Sequence, residues 1–264
     1  MTGKRRDTSG GSNSRTFLKT FSPILSVLAG LALWEALSRQ VLPLFLPSPL
    51  ATARAAVELW SDGTIVAAVA ASLRRIAIGW GLGVLLGIPL GIFMGSSVVV
   101  RRLLDPYIDF FRFIPPIAFV TLAIIWLGPG EASKVGLIFY ATIFVVIVSM
   151  IAGVQAVNPA RIRAAATLGA GRLRILLTVV IPSTVPAMVT GARLAMGNSF
   201  LTVVSAEIVA AQEGVGALIW TARNYGRTEW VFVGIILLGL LGYLCDRLLR
   251  LCATRFLKRY DVKT

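Results

Sequence analysis

The chain reads as an all-α, polytopic membrane protein with six membrane-spanning helices. Of its 264 residues, 56% are hydrophobic and 14% are charged, whereas a soluble domain carries about a quarter charged residues. The mean hydropathy is +0.82, which leaves too little polar surface for water on every side. The apolar residues gather into runs of about the 20 residues that a helix needs to cross a bilayer. The net charge of +14 does not point to nucleic acid, because the basic residues lie between apolar spans and not along one soluble face. In a membrane protein such an excess marks cytoplasmic loops.

The elements follow in order. Residues 1–22, rich in Gly, Ser, Thr and charge, read as a flexible cytoplasmic tail. The first span runs from Pro23 to Leu42 with Glu35 inside it, and the segment up to residue 64 is external. The basic start, the apolar run and Ala51-Thr52-Ala53 imitate a secretory signal. The run is too long for one and carries a charge, so it is read as retained. The second span covers Leu73 to Phe93, and an earlier start is open because the preceding residues are also apolar. Its Gly79, Gly83, Gly87, Gly91 and Gly95 recur every fourth residue, a smooth stripe along which a neighbouring helix can approach closely.

The third span, Tyr107 to Leu127, contains Pro115 and Pro116. Neither has a backbone donor, so the helix must break or kink there. A break that lines a translocation path and a simple bend are both open. The fourth span is Val135 to Val157, the fifth Val185 to Ala210 and the sixth Trp230 to Leu251. Residues 65–251 form the core, with a long loop at 156–182, and 252–264 form a second cytoplasmic tail. An even number of crossings puts both tails on one side. Lys4, Arg5 and Arg6 in one tail, Arg255, Lys258 and Arg259 in the other, and Arg161, Arg163, Arg172 and Arg174 in the loop all fall on that side. The positive-inside rule makes it the cytoplasm.

Charges within spans are costly and often functional. Arg39, Arg74 and Arg75 can snorkel to an interface, and for any one of the span arginines a structural interhelix pair is the favoured reading. Asp109 and Arg112 are three apart and can pair. Arg193 suits an interhelix pair, and Glu207, near the outer end of the fifth span, can pair with a basic group. Asn198, Thr202 and Ser205, with Ser199 beside them, form a polar line on the fifth span. Such a line faces a water-filled path or bonds to another helix, and the residues alone leave both open. Cys245 and Cys252 share a helix face but cannot bridge at that spacing, and both read as small buried hydrophobes.

The chain has no His, which excludes histidine relays, His-ligated zinc and Ser-His-Asp chemistry. It has no G-x-x-x-x-G-K-[ST] loop, no H-E-x-x-H and no G-x-S-x-G. No catalytic residue, metal ligand or cofactor is expected in this polypeptide.

The loop between the fourth and fifth spans is the most telling stretch. Asn158 can cap a short helix that opens on Pro159. Ala164-Ala165-Ala166 gives that helix a small-residue face, and Gly169 and Gly171 end it. A second amphipathic stretch leads to Ile181-Pro182. Such a helix can seat in a groove of a partner protein, or it can lie on lipid headgroups.

This loop resembles the coupling motif of ABC importer permeases: Glu-Ala-Ala, three residues, Gly, nine residues, Ile-x-Leu-Pro. Ala164, Ala165, Gly169, Val179, Ile181 and Pro182 fall at the matching positions. Arg163 stands where the motif has Glu, a departure that bears on any charge pairing with the partner. Leu46-Pro47-Ser48-Pro49, Arg112-x-x-Pro115-Pro116, Gly128-x-Gly130-Glu131-x-Ser133-Lys134 and Gly191-x-Arg193-Leu194 are similar to the nitrate/taurine/alkanesulfonate branch of type I, binding-protein-dependent importers. The wording of the loop is most similar to taurine-type permeases.

The resemblance implies a permease subunit of a bacterial inner membrane and a type I importer transmembrane fold over 65–251. Its expected partners are two ATPase subunits docked on the loop, a second permease copy, an external solute-binding protein and membrane lipid. ATP and Mg would be bound by the partner ATPase. The expected coupling residues are Arg163, Ala164, Ala165, Gly169, Ile181 and Pro182. The candidate path residues are Pro115, Pro116, Asn198, Ser199, Thr202 and Ser205. The rival readings are an ATP-independent secondary transporter or channel and a membrane scaffold. The first would be expected to show inverted repeats, and none is evident between the halves.

Overall fold

The computed structural model describes the backbone of residues 12–210 and 212–256, and the side chains of 24–209 and 212–255. Every regular element among them is helical. In chain order these are α1 (Ser12–Ser38), α2 (Pro49–Ser61), α3 (Thr64–Ser96), α4 (Val98–Phe111), a 3-10 turn (Pro116–Phe119), α5 (Val120–Leu127), α6 (Glu131–Gln155), α7 (Pro159–Thr167), α8 (Arg172–Ile175), a π turn (Leu176–Val180), α9 (Ile181–Ala210), α10 (Val215–Asn224) and α11 (Thr228–Phe256). Four runs, Thr64–Ser96, Glu131–Gln155, Arg172–Val209 and Thr228–Arg255, are long and apolar enough to cross a membrane. Val98–Phe111 with Pro116–Leu127 qualifies as a fifth span bent by 86°, and Ile24–Ser38 is a shorter apolar helix.

The glycine stripe sets the core. A Cβ at Gly79 would lie 2.7 Å from Ile138 Cβ, and one at Gly87 would lie 2.9 Å from Val146 Cβ. Gly83, Gly91 and Gly95 meet Thr142, Met150 and Val154 in the same way. Both series step by four, so α3 and α6 pack at backbone contact along one seam. Both numbers rise together, so the two helices run parallel. The chain between them must therefore cross back, and α4 and α5 provide that return.

On the other face of α6, Gly191 packs on Ser149 and Gly153 on Ala187, so α9 runs antiparallel. Arg193 of α9 meets Asp246 of α11, and Gly242 lies against Phe200, so α11 reverses again. Trp34, late in α1, stacks on Phe232, early in α11, with centroids 5.6 Å apart. The bundle thus has a hairpin end, holding residues 156–175, and a far end. Ile92, Val146, Met150, Val154, Val157 and Val180 fill its core toward the hairpin.

Several expectations need correcting. The external segment contains α2, and α10 was not foreseen. Both are short amphipathic helices without a long apolar run, and they close the far end through Ala55, Leu59, Ile65, Leu218 and Val233. The Leu46-Pro47-Ser48-Pro49 motif is the start signal of α2: Pro49 opens the helix and Ser48 Oγ accepts from the Ala51 N–H at 3.1 Å. Before α3, Asp62 accepts from the Thr64 N–H at 2.9 Å, and that bond holds its carboxyl below the ordinary carboxylate range.

Arg101 and Arg102 lie on α4. The fifth span is one helical run from Arg172, because the π turn carries the chain through Pro182 without a stop. Helix α1 begins at Ser12, inside the stretch read as a tail. Residues 1–11 of that tail, and 257–264 of the C-terminal one, lie outside the described residues. Cys245 is half-buried and Cys252 exposed, because α11 lies at the rim of the bundle.

Candidate functional site

The expected break at Pro115-Pro116 is sharper than a kink. Helix α4 ends at Phe111, and the chain turns 86° before α5. The physical cause is local. The carbonyl of Phe111 would normally accept from the N–H of residue 115, which is a proline. The Ile114 N–H closes a tighter turn onto that carbonyl at 3.1 Å, and Tyr140 of α6 adds a second donor: its hydroxyl donates to the Phe111 carbonyl at 2.5 Å and lies 3.3 Å from that of Ile114. Irregular backbone at membrane depth is tolerated where protein re-satisfies it or where it lines a cavity. Both hold here.

The break opens on a cavity of about 470 Å3. Its walls are the break, α6 and α9. Phe113, Phe144, Val148, Leu194 and Leu201 make it mostly apolar, and Arg112, Pro116, Tyr140, Ser149, Asn198 and Thr202 add its polar and angular features. Of the expected path residues, Pro116, Asn198 and Thr202 are on this wall. Pro115 caps the 3-10 turn behind it. Ser199 points the other way, fully buried, with its Oγ 3.0 Å from that of Thr142. Ser205 is half-buried beyond the cavity. The polar line therefore divides: part faces the cavity and part joins two helices. Arg112 was read only as the partner of Asp109. That pair exists, with Nε 3.0 Å from Oδ1, and the same side chain also reaches the cavity wall.

A second polar cluster sits at the far end and was legible only in part. Glu207 is fully buried and Arg75 is 3% exposed. Arg75 Nη1 donates to Glu207 Oε1 at 2.7 Å, while its Nε and Nη2 both donate to Glu131 at 2.8 Å. Ser72 Oγ donates to Glu207 at 2.8 Å and accepts from the Val215 N–H at 2.9 Å. The Gly216 N–H donates to Glu207 Oε2 at 2.8 Å, and Lys134 Nζ to Glu131 at 3.0 Å. Gly214, with φ +134°, lets the backbone close over Glu207 where any Cβ would collide with the carboxylate. Glu207 thus has the basic partner that was expected, whereas Arg75 does not snorkel. Toward the hairpin end, Arg193 grips Asp246 by two bonds of 2.8 and 3.1 Å, the interhelix pair the sequence suggested.

The hairpin forms as its residues dictate. Asn158 Oδ1 accepts from the Ala160 N–H at 2.9 Å, and Pro159 opens α7. Gly169 stands at φ +81°. Its N–H donates to the Ala166 carbonyl, and that of Ala170 to the Ala165 carbonyl, at 3.0 and 3.1 Å. This is a Schellman cap, which favours glycine in the left-handed position. Arg161, Arg163, Arg172 and Arg174 are all exposed, and Leu168 at the tip is 88% exposed. Ala164 is exposed and Ala165 half-buried. Ile162, Ile175 and Ile181 anchor the hairpin on the core, and Pro182 sits in the first turn of α9.

A broken span around a cavity, in a bundle with a protruding basic hairpin, defines a membrane translocation subunit. Residues 87–258 match the family of binding-protein-dependent transport system inner membrane components. The taurine transport system permease protein TauC of Escherichia coli K12 is 39% identical, over 82% of this chain and 81% of that one. A probable ABC transporter permease of Brucella melitensis is 38% identical, over 86% and 92%. A nitrate import permease protein, NrtB of Leptolyngbya laminosa, is 35% identical, over 71% and 67%. Among solved structures, an inward-facing conformation of the MetNI methionine ABC transporter superposes with a TM-score of 0.62 at 18% identity, covering 74% of this chain and 94% of that one. The likeness at that identity concerns the fold. The chain belongs to the binding-protein-dependent inner membrane component family, as a type I ABC importer permease of the nitrate/taurine/sulfonate branch. Such permeases are translocation components without catalytic activity of their own.

Proposed function

We propose that this chain forms the membrane path of an ATP-driven importer for a small anionic solute of the taurine, alkanesulfonate or nitrate type. One observation carries the mechanical part. The second arm of the hairpin, the π turn and the cavity wall belong to one helical run, Arg172–Val209, and that run holds Asn198 and Thr202. A push on that second arm reaches the cavity wall along continuous helix, and α7, joined to it through the Gly169–Gly171 turn, bears on the same core through Ile162.

In this reading two ATPase subunits, which bind the ATP and Mg, grip α7 through Arg163, Ala164, Ala165 and Gly169. Ile181 and Pro182 pass their motion into α9. A second copy of the permease completes the path, and an external binding protein delivers the solute. The hairpin end and both termini are cytoplasmic, in line with their basic residues. The core is 65–251, with 156–182 as its coupling segment. Closure of the ATPase pair rocks α4, α5, α6 and α9 and changes which side of the membrane the cavity faces. The solute class is supported by the relatives named above.

Reconstitution with its ATPase and binding protein in liposomes tests the reading. Taurine, methanesulfonate or nitrate uptake is expected to need ATP. Gly169→Trp is expected to insert normally and lose uptake, because a bulky side chain cannot take this left-handed cap without strain. Uptake without ATP, or normal uptake by Gly169→Trp, overturns it.

A further inference from the structure

We infer that Arg112 is the anion-recognising side chain of the transmembrane path, with Asn198 and Thr202 as neutral donors on the opposite wall. The inference rests on the importer reading and adds where, within this chain, the charge of the solute is met. Arg112 is the one charged residue among the described residues that line the 470 Å3 cavity. A small anion entering so apolar a chamber gives up hydration, and it needs a fixed cation or several oriented donors in return.

An inventory of donors narrows the choice. The Tyr140 proton is committed to the broken helix at Phe111. The Ser149 hydroxyl donates to the Val145 carbonyl at 2.7 Å. Among the described residues, neither the Asn198 nor the Thr202 side chain has a hydrogen-bond partner, and both belong to α9 across from the break. Arg112 approaches Asp109 through Nε, at 3.0 Å, which turns the edge of its fork to a carboxylate and leaves the terminal nitrogens for a guest. Its guanidinium carbon lies over the Phe113 ring, 4.6 Å from the centroid, a cation–π contact that favours this placement. The Arg112 side chain is 37% exposed and that of Asp109 61%.

A guanidinium presents paired donors that match two oxygens of a sulfonate, nitrate or carboxylate head. Asp109 is then the resting counter-ion. It keeps the site near neutral when empty and competes with the guest, which makes binding weak enough for release. The cavity volume suits a small organic anion. A neutral solute of the same shape gains nothing from Arg112.

The test uses the complete importer in lipid nanodiscs. Cys245→Ala and Cys252→Ala remove the native thiols, and Ala141→Cys places a reporter on the cavity wall. The measurement is the rate of maleimide labelling with methanesulfonate, taurine or nitrate, and with dimethyl sulfone as the uncharged match. The expected result is slower labelling with methanesulfonate, taurine or nitrate and an unchanged rate with dimethyl sulfone. Arg112→Gln should weaken the protection by about tenfold in anion concentration, Arg112→Lys should restore part of it, and Asp109→Asn should strengthen it. An unchanged labelling rate without anion in Arg112→Gln shows that the wall is intact. Equal protection in Arg112→Gln, equal protection by dimethyl sulfone, or no protection by any anion overturns the assignment. ATP-driven uptake without protection overturns this site alone, whereas protection without ATP-driven uptake overturns the importer reading and leaves the site.

Discussion

The far-end cluster and the cavity wall place similar polar residues in the same bundle and use them in opposite ways. At the far end, Glu207 accepts from Arg75, Ser72 and the Gly216 backbone, and Arg75 engages two carboxylates at once. Its buried groups are saturated from within the chain, and the cluster binds α3, α6, α9 and α10 into one unit. At the cavity, Arg112 shares one carboxylate, and Asn198 and the largely buried Thr202 line the wall. In a low-dielectric setting a fully paired network stiffens, while an incompletely paired one is left to guests. One region is a clamp and the other a chamber.

Removing one member of the clamp breaks this contrast most visibly. Arg75→Met leaves Glu207 buried without its cation and should cost about 3–5 kcal/mol, read as a lower thermal midpoint of the purified complex. An unchanged midpoint would show that the far end is held by something other than this network. Gly214→Ala probes the same clamp through the backbone. The left-handed strain and the collision with Glu207 should cost about 1–3 kcal/mol, again read as a midpoint shift.

At the chamber, Tyr140→Phe takes the side-chain donor from the Phe111 carbonyl and leaves it the Ile114 N–H. The expected loss is about 0.5–1.5 kcal/mol, accompanied by faster labelling of a cysteine placed at Phe113. A rate equal to that of the parent would mean that the break is held without this hydroxyl. Arg112→Gln should be the mildest for stability, within about 1 kcal/mol, because it removes only a partly wet ion pair. Its effect belongs to anion protection and uptake. A large drop in thermal midpoint for Arg112→Gln would move this residue from the chamber to the clamp.

The legible parts of the molecule are those whose cause lies within a few residues. The hairpin is an example. Asn158 and Pro159 start α7, and Gly169 ends it, through bonds that span no more than five positions. The glycine stripe was equally plain, since its spacing of four is a property of one helix. Helices α2 and α10 were missed because thirteen and ten residues hold no apolar run long enough to stand out beside the spans. The pairing of Arg75 was an open alternative to snorkelling, and its partners stayed unidentified because they lie 56 and 132 positions away. Nothing local separates an arginine that snorkels from one that is buried and paired.

Hydropathy and turn chemistry by themselves determined the all-helical membrane class, the point at which one span must break, and the hairpin, whereas six crossings were expected and four helices, or five with the bent pair, are long and apolar enough among the described residues. The first three follow from short-range energetics: the cost of unpaired backbone in lipid, the missing donor of proline and the left-handed tolerance of glycine. Only tertiary structure decided that neighbouring Asn198 and Ser199 serve different ends, that Arg75 is sealed against Glu207, and that Arg112 reaches the cavity wall. Adjacent residues on a helix point about 100° apart, so the role of a polar side chain depends on which helix packs beside it, and that is settled by the whole bundle.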